Sequence, residues 1–247
     1  DALRSVVARA RELGAASATA VVGDIATLPG ARAALESALR AEGFQGELDV
    51  LVLNHITAFY GWLLPGNVTG AQPYELGGVS EQAGSLERFD AIFRVNTLSY
   101  MQLATLAAPA LVRAGQRGSG GQLIVVSSAA GKMGLPKVAP YAGSKHALHG
   151  FFDSLRLEVL AKGLPLSVTL CVLGNIDTES NRRSTAGQLQ RAPERAPADD
   201  TAMAILRAGA TRQREMFFPL SQGLHLMALL RPFAPGLLDR VALAIAG

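Results

Sequence analysis

Short apolar runs alternate with amphipathic stretches along this chain of 247 residues. Leu3, Val6, Val7, Ala10 and Leu13 recur at helical spacing, and Gly14 ends the run. Ala18 to Val22 reads as a short strand closed by Gly23-Asp24, and Ala31 to Ala41 as a second helix. Asp49 to Leu53 (DVLVL) is continuously apolar, the pattern of a strand covered on both faces. Residues 57–85 are rich in Gly, Pro and Ser and predict an inserted loop. Leu86 to Val112 predicts helix, Gly115 to Gly121 a turn, and Gln122 to Val126 a buried strand. Tyr141 to Leu160 predicts a long helix and Leu166 to Cys171 another strand. Pro193 to Pro197 reads as a mobile segment, followed by a helix from Asp199 to Thr211. Strands alternating with helices imply βαβ units around a parallel sheet, an α/β fold. No repeat or second domain is visible, so 1–247 reads as one domain, long enough to bury a substantial core.

Composition narrows the classes. Apolar residues make up 49% and charged residues 17%, which suits a globular chain and not a disordered one. Net charge is +3, but basic residues are scattered and Arg182-Arg183 is the sole adjacent pair. Nucleic-acid binding needs a cluster or stripe, so no nucleic-acid partner is expected. The single cysteine, Cys171, excludes an internal disulfide and a cysteine-only metal site, and its apolar setting suits a small buried hydrophobe. No apolar run reaches the ~18 residues of a membrane-spanning helix, and no signal-peptide pattern opens the chain. It begins on Asp1 and runs straight into helical periodicity, so a missing upstream segment is expected.

In parallel sheets ligands bind beyond the carboxyl ends of the strands. The positions to inspect are therefore Gly23-Asp24, Asn54-His55, Ser127-Ser128 and Gly174-Asn175. Near them stands Tyr141-Ala-Gly-Ser-Lys145, whose Tyr and Lys share one helix face. A free Tyr titrates near pH ~10 and is a poor base at neutrality. A fixed ammonium favours the phenolate, moving the group toward a useful acid/base range. A nearby Ser hydroxyl would hold a carbonyl or alcohol oxygen in line with the phenol. Such a trio suits proton exchange at an oxygen while hydride moves at its carbon.

These residues resemble the short-chain dehydrogenases/reductases. Ser128 stands thirteen residues before Tyr141, Lys145 completes Tyr-x-x-x-Lys, and Asn96 in RVNTLSY matches the family's helix Asn. Asn54-His55-Ile56, SSAAGK over Ser127–Lys132, CVLGNIDTE over Cys171–Glu179, and LGAASA from Leu13 are similar to the 11-beta-hydroxysteroid dehydrogenase type 1 branch. The resemblance implies a Rossmann-type doubly wound parallel sheet. It implies catalytic roles for Ser128, Tyr141, Lys145 and Asn96. Tyr141 exchanges the proton, Ser128 steadies the oxygen, and Lys145 lowers the Tyr pKa and binds the nicotinamide ribose. Asn96 supports a water relay. It implies cofactor contacts from Asp24, Ile25, Asn54, His55, Ile56, Tyr141, Lys145, Ile176, Asp177 and Thr178. The cofactor expected is NADP, with NAD as the alternative.

Two departures stand out. The family's Gly-rich phosphate-binding turn (Thr-Gly-x-x-x-Gly-x-Gly) and the first βαβ unit that carries it are missing from the 247 residues. The spacing from Asn54 to Asn96 exceeds the family's by about eighteen residues, a long loop by ordinary standards. The extra stretch carries Phe59, Tyr60, Trp62 and Tyr74, which suit a cleft cap or a solvent loop equally.

Other candidates have plainer readings. His146 and His149 share a helix, but no acidic or Cys ligand has suitable spacing, so no metal is expected. Asn67-Val68-Thr69 is a glycosylation sequon of a kind that arises often by chance. The apolar tail from Met216 to Ala246 (within 216–247) reads as a terminal helix on the core, or as a surface for membrane or dimer contact. The resemblance favours the latter, with a homodimer and an endoplasmic-reticulum or other membrane-associated site, the cytoplasm being the alternative. The expected activity is NAD(P)-dependent interconversion of hydroxyl and carbonyl on a steroid-like lipophilic substrate. Its rivals are a reductase of other lipid carbonyls (retinoid, sphingoid) and a catalytically silent binding protein at a membrane or droplet.

Overall fold

Runs such as QLIVV and LSVTLC can bury both faces of a strand only between helical layers, and the structure builds that sandwich. The computed structural model describes residues 2–41, 43–44, 46–58, 86–118, 120–185 and 194–246. In chain order these form α1 (Ala2–Glu12), α2 (Leu28–Arg40), β1 (Val50–Leu53), α3 (Leu86–Phe93), a π-helical turn (Arg94–Leu98) and α4 (Ser99–Gln116). Then come β2 (Gln122–Ser128), a 3₁₀ turn (Ala129–Gly131), α5 (Ala139–Ala161), β3 (Ser167–Leu173), β4 (Ile176–Asp177) and α6 (Glu179–Thr185). The chain closes with β5 (Ala196–Pro197), α7 (Ala198–Ala210), β6 (Glu215–Phe218), a 3₁₀ turn (Leu220–Gln222), α8 (Leu224–Leu230) and α9 (Pro235–Ala246).

The main sheet is parallel throughout, in the order β1-β2-β3-β6, and β4 pairs with β5 in a small parallel ribbon. Side chains alternate between its faces. Leu123 and Val125 join Tyr100, Leu111, Leu148 and Phe152 under α4 and α5. Ile124 and Val126 join Cys171, Ile205 and Met216 under α7. Burial pushes the Cys171 thiol up to about 12, so it remains a neutral core side chain. Arg156 of α5 donates to the carbonyls of Val168 and Arg214, fastening the helix to β3 and to the approach of β6.

Several expectations need correction. Ala18 to Val22 forms no strand, and Val22 is 86% exposed. No described strand stands beside this run, so its backbone has no ladder to join. Helix α1 forms as predicted but buries nothing; Leu3, Val6 and Leu13 all face outward. β1 is not covered on both faces, since Val50 and Val52 are exposed, whereas α7 packs on β2, β3 and β6 of the main sheet. Helix α4 runs through Gln116 and absorbs Gly115, which the sequence assigned to a turn. The tail does not begin as helix: Met216 to Phe218 lie in β6, paired with Cys171 to Leu173. Residues 59–85, with the four aromatics and the sequon, lie outside the described residues, as does Pro193.

Candidate active site

A cavity of about 440 Å³ opens at the carboxyl edge of the sheet. Ser128 ends β2, Leu173 ends β3 with Gly174 just after it, and Asn54 and Ile56 follow β1; all five line the cavity with Tyr141 and Lys145. Ser128 Oγ caps the next 3₁₀ turn by accepting from Ala130 N at 3.2 Å. Tyr141 and Lys145 come from the first turns of α5, one helical turn apart.

Lys145 is the most deeply placed charge of the site, 2% exposed. Its Nζ donates to Val126 O at 3.1 Å and stands 5.1 Å from the Tyr100 ring centre and 5.9 Å from that of Tyr141. Burial outweighs these contacts and pulls the amine from 10.5 down to about 7.

Asn96 is fully buried on the π turn. Its Oδ1 accepts from Thr57 N at 2.8 Å, and its Nδ2 donates to Thr57 O at 2.8 Å and Ser144 Oγ at 3.3 Å. It therefore pairs with Thr57 as a strand residue would. Thr97 donates to Ser144 O, so the π turn is pinned to α5 one residue before Lys145. The Tyr100 hydroxyl donates to His55 O at 2.7 Å, which fixes the loop after β1 from the same side.

His55 does not line the cavity. Its ring packs on Tyr100 with centroids 4.3 Å apart, and Nε2 lies 2.6 Å from Ser99 Oγ. The Ser99 hydroxyl donates to Val95 O, so His55 Nε2 must be the donor. Burial, then the Lys145 charge, lower the His55 imidazole to about 4.

Ile176 and Thr178 line the cavity, but Asp177 does not and pairs with Arg182 at 3.3 Å. Asp24 and Ile25 are also absent from its walls. Asp24 Oδ1 accepts from Ala26 N ahead of α2, and Ile25 packs on the core. His146 bonds the Ala142 carbonyl, and His149 bonds Ser127 Oγ at 3.0 Å, with Nδ1 3.5 Å from Glu215 Oε1. Burial alone would raise Glu215; His149 and Lys132 overcome it and hold the carboxyl below its usual range. Among the described residues no three His, Cys, Asp or Glu side chains converge as a metal site would.

Sequence reasoning missed the apolar C-terminal part of the lining. Leu224, Met227, Leu238, Val241 and Ala242 from α8 and α9 also line the cavity. The signal was present: 238, 241 and 242 follow helical spacing. It also missed Gln222 and Asn181, two amides that line the cavity.

The short chain dehydrogenase family model matches residues 1–189. The chain belongs to this family. It is 39% identical over 218 residues to the hydroxysteroid 11-beta-dehydrogenase 1-like protein of Xenopus tropicalis, covering 88% of this chain and 66% of that protein. The like-named protein of Danio rerio is 34% identical, covering 98% of this chain and 74% of the relative. That of Gallus gallus is 39% identical, covering 70% and 52%. The chain thus spans about half to three quarters of the length of these relatives. In fold it is similar to a short chain dehydrogenase/reductase from Burkholderia phymatum in complex with NAD, with a TM-score of 0.73 at 20% identity, covering 96% of this chain and 82% of that one. It is also similar to a short-chain dehydrogenase from Sphingobium yanoikuyae in complex with NADPH, with a TM-score of 0.68 at 21% identity, covering 96% and 81%. The family membership and these folds make the architecture a Rossmann-type α/β sheet.

Proposed function

We propose that this short-chain dehydrogenase interconverts a hydroxyl and a carbonyl on a lipophilic, steroid-like substrate with a nicotinamide cofactor, NADP before NAD. One observation carries the reading: Ser128, Tyr141 and Lys145 line a single cavity together with apolar side chains of α8 and α9. The residues at hand fit the nicotinamide–ribose end of such a cofactor. A buried amine beside a phenol, with Asn54, Ile176 and Thr178 around them, is a donor set for ribose hydroxyls and a carboxamide. When bound, the cofactor supplies or accepts the hydride.

The chain's own residues handle the proton and the fit. Tyr141 Oη gives or takes the proton on the substrate oxygen, and Ser128 Oγ holds that oxygen in line. The Lys145 charge favours release of the Tyr141 proton. Asn96 holds the loop after β1 and the start of α5 at a fixed separation through Thr57 and Ser144, and supports proton relay toward Lys145. The apolar wall excludes water and receives the hydrocarbon body of the substrate. The exposed Leu226, Leu229, Phe233 and Leu237 support contact of the C-terminal segment with a membrane or a second copy, though no described helix is long and apolar enough to cross a membrane.

A second reading, a lipid-binding protein without turnover, draws on Asp24 and Ile25 lying away from the cavity. Titrating the chain with NADPH and NADH, then assaying reduction of a keto-steroid panel, separates the two. Turnover by the parent with a loss of at least about a hundredfold in Tyr141→Phe is expected. Equal rates for parent and variant, or steroid binding with no nicotinamide binding, would overturn the enzymatic reading.

A further inference from the structure

Just past β3 the backbone at Asn175 is held by a side chain remote in sequence. Gln222 Oε1 accepts from Asn175 N at 2.8 Å, and Gln222 Nε2 donates to Asn175 O at 3.1 Å. The same Nε2 donates to Glu194 O at 2.8 Å, at the entry to β5. A side-chain amide that engages both polar groups of one residue acts as an added ladder rung. Asn181 completes the arrangement, donating to Asn175 Oδ1 and to Ile176 O, each at 2.7 Å. The approach is close: a Cβ on Gly174 would lie 2.0 Å from Gln222 Oε1. Gln222 itself ends a 3₁₀ turn, and Gly223, at φ +66°, lets the chain reverse into α8.

We infer that Gln222 is a positioning residue that locks the loop Asn175–Thr178 to the C-terminal wall of the cavity, so that the two sides of the site keep one fixed separation. This rests on the oxidoreductase reading for its effect on activity, but not for the clamp itself. Ile176 and Thr178 face the cavity on one side of the clamp, and Leu224 and Met227 on the other. A substrate seated on α8 thereby stabilises the loop expected over the cofactor, and the converse follows from linkage.

Hydrogen exchange on the full chain without ligands tests the clamp. In Gln222→Met, of similar length but without the amide, exchange at 174–178 should rise about tenfold or more while β2 is unchanged. Gln222→Glu keeps the acceptor for Asn175 N and places a carboxylate against the Asn175 and Glu194 carbonyls. It should leave the Asn175 amide protected while 194–197 exchanges faster, a split that loss of packing would not give. Unchanged exchange at 174–178 in Gln222→Met would overturn the clamp. If β2 also loosens in Gln222→Met, the Glu variant decides: protection of the Asn175 amide supports the clamp, and its loss overturns it. In turnover, Gln222→Met should raise KM for ketone and cofactor about tenfold with little change in kcat. A fall in kcat with both KM values unchanged would overturn the positioning role. A parent chain that binds no nicotinamide would remove the oxidoreductase reading and leave the exchange result standing.

Discussion

Lys145 Nζ stands 5.1 Å from the centre of the Tyr100 ring and donates a hydrogen bond to the Val126 carbonyl. Burial has drawn the amine down to about 7 from 10.5. From about pH 7 up to 10.5 the unfolded chain therefore binds more protons at this site than the folded one. The contribution of Lys145 to stability is least below pH 7 and grows as pH rises through that window. Urea midpoints of the parent relative to Lys145→Met should rise between pH 6 and pH 10. A pH-independent difference would contradict the buried-amine assignment.

His55 should titrate far below an ordinary imidazole. Its folded value of about 4 lies under the usual 6.5 because of burial and then the Lys145 charge. Its stability contribution is present above pH 6.5 and is lost as pH falls toward 4. Following the His55 ring by NMR should give a midpoint near 4, with Nε2 carrying the neutral proton. Lys145→Met should move that midpoint upward by removing the second cause.

Asn96→Leu should destabilise the chain by about 2–4 kcal/mol, because it leaves the Thr57 N–H and carbonyl facing a hydrocarbon side chain. Asn96→Asp keeps the acceptor and should fall between the two. Chemical denaturation measures both, and activity of the same variants reports whether the loop after β1 has shifted.

Glycines in and around the helices should differ sharply. A Cβ at Gly115 would lie 1.7 Å from the Pro165 carbonyl oxygen, which cannot yield as a flexible side chain would. Gly115→Ala should cost about 1–3 kcal/mol or more. Gly150 lies exposed within α5 with nothing near its would-be Cβ, so Gly150→Ala should stabilise by about 0.5–1 kcal/mol. Thermal melts of the two variants should move in opposite directions.

Much of this fold is legible in the sequence. β2 and β3 announced themselves as apolar runs because both faces of the sheet are buried there. Ser128, Tyr141 and Lys145 were readable because a strand end and one helix face fix their order along the chain. Val22 and Val50 misled, since an apolar run predicts burial only when a covering layer exists. β6 was hidden because four residues of strand, followed by two short apolar helices, present no clear period. The Gln222–Asn175 clamp and the His149–Ser127 bond join residues 47 and 22 apart through tertiary structure, and local patterns contain no trace of such pairings.

The π turn at Arg94–Leu98 has a further consequence for how this molecule can vary. A π turn holds one residue more than the α-helix on either side of it. Since each helical residue advances about 100° around the axis, α3 and α4 are rotationally out of phase, and Asn96 sits where the phase slips. Removing one residue there would restore a continuous α-helix and swing Asn96 relative to the Leu111 side of α4. Helix α3 and the packed face of α4 are thus indexed to different helical frames, and one codon is enough to slide one against the other.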